Sequence, residues 1–184
     1  MRYEVRITGL GGQGAITAGH ILGRAAVIYD GREAVVTEGY SPYITGGWSR
    51  ADVIISDEPI DYPLMTKLDV LATMYDDGFV QNIKYVKRNG IVVTEKELVK
   101  HTFHKDARII PIPAIQVADS LGRRIVMNIV ILGAVVAALG GVPSLESVAK
   151  ALADRFPKAA ELNRKALHEG YSIACEHLTA KEVV

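Results

Sequence analysis

The chain has 184 residues, 49% of them hydrophobic, and carries 21 basic and 21 acidic side chains. This length and composition suit one globular domain over 1–184, and they exclude a disordered chain; zero net charge argues against nucleic acid as a partner and favours life in a complex. The single cysteine, Cys175, excludes an intramolecular disulfide, a cysteine-ligated iron–sulfur cluster and a cysteine-rich zinc site, so any redox metal must sit on another chain and the protein is expected in the cytoplasm.

At the N-terminus, Tyr3, Val5 and Ile7 alternate with Glu4, Arg6 and Thr8, which predicts a strand over Tyr3–Thr8 and not the apolar core of a signal peptide. GLGGQG follows at Gly9 to Gly14. Ala15, Ala18, Leu22, Ala25 and Tyr29 then recur at helical spacing, and Gly31 ends that helix. A short strand is expected over Glu33–Thr37. After it comes a loop, Gly39–Arg50, with three glycines, a proline, two tyrosines and the only tryptophan. Further strands are expected at Ala51–Ser56, Val70–Met74, Ile91–Thr94 and Ala107–Ile112. A helix through Phe79, Ile83 and Val86 is expected to end before a turn at Asn89-Gly90. Gln116–Leu121 reads as a short helix. Ile125–Leu139 is an apolar run of fifteen residues interrupted by Asn128, short of the ~20 a membrane-spanning helix needs, and so reads as a buried core helix. Two more helices follow, one capped by Ser144 and one opened by Pro157.

Strands alternating with helices predict an α/β fold: a three-layer domain with a mostly parallel sheet, helices on both faces and extra C-terminal helices. Two segments can carry chemistry. In Gly9-x-Gly11-x-x-Gly14 the glycines allow a tight turn that brings bare amides to a phosphate, beside the positive end of the following helix. Glu38 stands roughly where a ribose-binding acid belongs. A tight packing turn without ligand is the competing reading. The loop Gly39–Arg50 offers Gly46-Gly47 for close backbone approach, the hydroxyls of Ser41, Thr45 and Ser49, and the charge of Arg50. Leaving the second strand at the carboxyl edge of the sheet, it is placed to reach the glycine turn, to contact a neighbouring subunit, or both. His101 and His104 lack the further ligands a metal site needs, His20 lies inside the first helix, and a buried Asn128 must find a hydrogen-bond partner, either a strand carbonyl or the ligand edge. No catalytic constellation emerges; the pattern is a binding site without a reaction centre.

Two stretches together resemble a known family. GLGGQGAITAGHILGRAA is similar to the opening of the gamma subunit of 2-oxoacid:ferredoxin oxidoreductases, and SPYITGGWSRADVIISDEPIDYP to that family's second block; MNIVILGAVVAAL is a weaker third match. The resemblance implies an accessory subunit of an enzyme that oxidatively decarboxylates a 2-oxoacid, such as pyruvate or 2-oxoglutarate, to an acyl-CoA and reduces ferredoxin. It implies thiamine diphosphate, iron–sulfur clusters and coenzyme A in the complex, with alpha-type, beta-type and ferredoxin-like delta chains as partners, and no membrane. On it, the cofactor-side residues are Gly11, Gly12, Gln13 and Gly14 from the first block and Gly46, Gly47, Ser49 and Arg50 from the second, with no catalytic or metal-binding residue and no cofactor held by this chain alone. Pro42-Tyr43-Ile44-Thr45 departs from the more polar stretch of many relatives. The alternatives are a freestanding NAD-binding oxidoreductase, which GLGGQG with Glu38 would suit, and a non-catalytic scaffold.

Overall fold

The computed structural model describes residues 1–42 and 46–180; Tyr43, Ile44 and Thr45 of the departing stretch lie outside them. Six strands form one sheet: β1 (Arg2–Leu10), β2 (Glu33–Tyr40), β3 (Trp48–Ser56), β4 (Leu68–Thr73), β5 (Val86–Glu95) and β6 (Ala107–Ile112), in the order β2-β3-β1-β4-β5-β6. The pairs β1–β4, β4–β5 and β5–β6 are parallel, as expected. β3 is the exception and runs antiparallel to both β1 and β2. Only residues 41–47 separate β2 from β3, too few for a crossover, so the chain reverses on itself instead of crossing over the sheet.

The helices are α1 (Ala15–Arg24, extended by a π-helical turn over Ala25–Tyr29), α2 (Asp76–Asn82), α3 (Ala114–Ser120), α4 (Met127–Ala138), α5 (Leu145–Arg155) and α6 (Ala160–Thr179). The main core lies on one face of the sheet. There Val5, Ile7, Val53, Val70, Ala72, Val93 and Ile110 meet α1, α4, α5 and α6. α4 is buried almost all round, which is why its sequence is apolar on every side. α6 crosses α4 at glycines: a Cβ on Gly170 would stand 1.8 Å from the Val130 carbonyl oxygen, and one on Gly133 2.0 Å from that of Leu167. Backbone thus touches backbone, which only glycine permits.

The second face is covered more thinly. Leu71 and Val92 pack there with Phe79 of α2 and Val99. Across β1 and β3 this face is polar: Arg6 donates to both carboxylate oxygens of Asp52 at 2.7 Å and to Asn82 Oδ1 at 2.9 Å, and its guanidinium lies over the Tyr85 ring. Glu4 accepts from the Thr66 and Lys67 amides. The alternation in β1 therefore marks two buried faces, one apolar and one paired.

Three local expectations are corrected. The segment 86–90 is strand and not turn: Asn89 sits at φ 64 inside β5, where the pairing with β4 shifts register. The apolar helix starts at Met127, after a 3-10 turn over Arg124–Val126. β3 begins at Trp48, so Trp48, Ser49 and Arg50 are strand residues and not loop residues. None of the described helices is long and apolar enough to cross a membrane.

A candidate cleft built on the glycine turn

The turn after β1 is locked by its own residues. Gln13 accepts the Leu10 amide on Oε1 at 2.6 Å and donates from Nε2 to the Met74 carbonyl at 3.1 Å. Gly12 and Gly14 have φ 85 and 79, values that side chains disfavour. Gly14 is also the N-cap of α1 and offers no side-chain acceptor, so the first-turn amides of Ala15, Ile16 and Thr17 have no capping partner and point toward the cleft these residues line. That helix end carries partial positive charge.

β2 runs parallel to β1, so the segment leaving it emerges at the same edge. The Gly11 amide donates to the Gly47 carbonyl at 2.8 Å, joining the two glycine segments directly. They form one wall of a cleft of about 1340 Å³. Gly11, Gly12, Gln13, Gly14, Gly46, Gly47 and Ser49 all line it, beside Tyr40, Ser41 and Trp48. Arg50 does not. As a strand residue two positions before Asp52, it shares the face of Asp52 and Arg6, with its Nε 3.6 Å from Asp52 and its guanidinium over the Trp48 ring. Strand alternation turns it away from the helix side on which its neighbour Ser49 lies.

The opposite wall was not foreseen as a unit. It comes from the segment joining α3 to α4, with Leu121, Arg123, Ile125 and Val126, and from the start of α6, with Phe156, Lys158, Leu162 and Asn163. Asn128 of α4 forms the floor: its Nδ2 donates to the Gly14 carbonyl at 3.1 Å. A Cβ on Gly14 would come within 2.3 Å of that nitrogen, so Gly14 and Asn128 fit only as a pair. Of the two roles considered for Asn128, it takes one: it faces the cleft edge, and the carbonyl it bonds belongs to the glycine turn and not to a strand. Lys165 pairs with Glu161 at 3.7 Å, whereas neither Arg123 nor Lys158 forms an ion pair among the described residues. The cleft thus combines a helix N-terminus, bare glycine backbone and two uncompensated cations, a set suited to a phosphate-bearing ligand.

Glu38 is not available as a ribose acid. It is held by His20 Nε2 at 2.5 Å and by the Tyr40 hydroxyl. The Tyr40 hydrogen bond, then that from His20, pulls its carboxyl below the ordinary value of 4.5 and pushes the Tyr40 hydroxyl up. A lowered folded pKa contributes stability above the unfolded value that is lost as pH falls through the folded one. Replacing Glu38 with Gln is therefore expected to lower the thermal midpoint slightly at pH 7 and to leave no difference from wild type well below pH 4.5; a gap that persists unchanged into acid would refute the assignment. His101 stacks on Phe79 at 4.5 Å between ring centroids, and no cluster of three or more His, Cys, Asp or Glu side chains suited to a metal occurs among the described residues.

The profile of the Pyruvate ferredoxin/flavodoxin oxidoreductase family matches residues 4–173. The chain belongs to this family. It is 41% identical over 180 residues to the 2-oxoglutarate synthase subunit KorC of Methanocaldococcus jannaschii, covering 96% of each chain, and 33% identical over 174 residues to the pyruvate synthase subunit PorC of that organism, covering 92% and 95%. Among solved structures, the gamma subunit of a keto/oxoacid ferredoxin oxidoreductase from Geobacter sulfurreducens superposes with a TM-score of 0.84 at 38% identity, over 96% of this chain and 98% of that one. A 2-oxoglutarate:ferredoxin oxidoreductase from Magnetococcus marinus, solved with 2-oxoglutarate, coenzyme A and succinyl-CoA bound, shares the fold at TM-score 0.84 and 22% identity; this chain matches 32% of its length. The chain is thus a gamma-type subunit of the 2-oxoacid:ferredoxin oxidoreductases, and the freestanding NAD-binding reading finds no support among its relatives.

Proposed function

We propose that this chain, as one gamma-type domain, serves a cytoplasmic 2-oxoglutarate:ferredoxin oxidoreductase and that its cleft holds the phosphate-bearing part of coenzyme A. The observation that carries this reading is the meeting of the glycine turn and the α1 N-terminus with the unpaired Arg123 and Lys158 across one cleft. The residues present fit that ligand. Glycine backbone and helix amides suit a diphosphate, and the two cations suit a further phosphate. Tyr40 and Phe156 line the same cleft as aromatic neighbours for a purine. Bound there, coenzyme A would supply the thiol that accepts the acyl group.

Within this reading Gly11, Gly12, Gly14, Gly46, Gly47 and Ser49 approach the ligand, while Gln13 sets the shape of the turn through Leu10 and Met74. Arg50 belongs to the polar sheet face and is assigned to subunit contact. Thiamine diphosphate and the iron–sulfur clusters are assigned to alpha-type and beta-type chains and a ferredoxin-like delta chain, since Cys175 alone cannot ligate a cluster. The preference for 2-oxoglutarate over pyruvate rests on the higher identity to the 2-oxoglutarate synthase subunit within one organism.

Co-expression of this chain with its partner subunits, followed by CoA-dependent viologen reduction, tests the assignment. The expected result is a co-purifying complex with higher kcat/KM for 2-oxoglutarate than for pyruvate. A complex that prefers pyruvate would overturn the substrate assignment, and a chain that joins no oxidoreductase core would overturn the role.

A further inference from the structure

The cations and the glycine turn account for phosphate, but they leave two buried side chains of the same cleft without a use. Asn163 lies on the first turn of α6 and is 5% exposed. It lines the cleft, yet it makes no hydrogen bond to the protein among the described residues. Buried polar side chains are hydrogen-bonded in the large majority of cases. The polar atoms of Asn163 reach the cleft, since Arg32 Nε alone is a fully buried side-chain polar atom without a partner among the described residues; the rest of this helix face is the fully buried Ala166 and Leu167. Asn128, 7% exposed on the cleft floor, spends one N–H on the Gly14 carbonyl, and its Oδ1 has no protein donor among the described residues. Between them the two amides present acceptors and donors but no charge.

We propose that Asn128 and Asn163 form a neutral recognition subsite that hydrogen-bonds an uncharged donor–acceptor group of the ligand, while the phosphates stay at the glycine turn and the cationic rim. This rests on the coenzyme A reading above. An anion is disfavoured at the subsite because the unpaired Asn128 Oδ1 turns lone pairs to it. Coenzyme A carries two groups of the right chemistry: the amides of its pantetheine arm and the amino-purine edge, which an asparagine reads through a donor and an acceptor together. Val126, Ile129 and Leu162 line the same cleft, and a hydrogen bond made among apolar side chains counts for more than one made in water.

Asn163 permits a clean test because it holds no hydrogen-bond partner among the described residues. The assembled complex, wild type and Asn163→Leu, is titrated calorimetrically with coenzyme A, adenosine 3′,5′-bisphosphate and 4′-phosphopantetheine. The subsite predicts that Asn163→Leu weakens coenzyme A binding about tenfold or more. It also predicts that the thermal midpoint without ligand changes little, since the substitution removes no hydrogen bond to the described residues of the protein. Asn163→Asp, which keeps the shape and adds a negative charge near the phosphates, weakens binding further. Loss confined to the bisphosphate places the purine edge on the pair, and loss confined to phosphopantetheine places an arm amide there. Tight coenzyme A binding by wild type with equal affinity in Asn163→Leu overturns the subsite and leaves the cleft assignment standing. No binding by wild type overturns both.

Discussion

Replacing Gly170 with Ala should lower the stability of the protein by about 3 kcal/mol, the upper end of what overpacking commonly costs. On an exposed helix the same change would stabilise by up to ~1 kcal/mol, because Ala is the better helix former. Here the added methyl would stand 1.8 Å from the Val130 carbonyl oxygen and 2.7 Å from its carbon, both backbone atoms of a buried helix. No rotamer change relieves such a clash; α6 must move away from α4. That movement opens the core at Val130, Leu167 and Ala174 and displaces Asn163 on the opposite wall of the cleft. For a chain of this size the thermal midpoint should fall by roughly 6–12 °C, since each kcal/mol is worth about 2–4 °C. Ser172→Ala, at an exposed position on the same helix, serves as the control and should move it little. Equal midpoints for the two variants would mean that the helices do not meet at glycine.

The second large effect is expected in ligand affinity. Replacing both Arg123 and Lys158 with Gln should raise the KM for coenzyme A of the assembled enzyme about 100-fold with kcat little changed. Neither cation has an ion-pair partner among the described residues, and each lines the cleft with the glycine turn. A charge-assisted hydrogen bond contributes about 1.5–3 kcal/mol, and 1.4 kcal/mol is tenfold in affinity. Two such losses in an open, partly solvated cleft sum to less than the ideal. The effect should fall on KM because the phosphates lie far along the cofactor from its thiol, so their contacts act on bound cofactor and transition state alike. It should also shrink at high salt, where the wild-type advantage is screened. A fall in kcat with KM unchanged would place these residues in catalysis or assembly instead.

How far the site could be read in advance follows from chain distance. The glycine turn and its neighbour are local signals, and the parallel course of β1 and β2 brings their ends to one edge, which the Gly11–Gly47 hydrogen bond expresses. Arg50 is a strand residue and not a loop residue for a local reason: the glycine-rich composition of 39–50 hides the early start of β3, and a residue in a strand takes its direction from the pleat. The opposite wall is a different matter. Arg123, Lys158 and Asn163 lie more than a hundred residues from the turn, on segments whose meeting depends on how α6 crosses α4. The usable traces were two. Asn128 interrupts an otherwise apolar helix, and Asn163 stands in register with Ala166 and Gly170 on the inner stripe of the last helix. A polar residue on a packing stripe asks for a partner, and neither finds its full complement among the described residues. The six strands were legible because alternation and apolar runs mark the layers directly, whereas the antiparallel entry of β3 depends on a connection too short for a crossover.

The central claim is that this cleft is where the complex holds coenzyme A. Hydrogen–deuterium exchange of the assembled complex with and without coenzyme A tests it most directly. Protection concentrated at 11–17, 120–128 and 156–165 is the predicted result. Unchanged exchange in these three segments, with protection appearing only on other subunits, would contradict it.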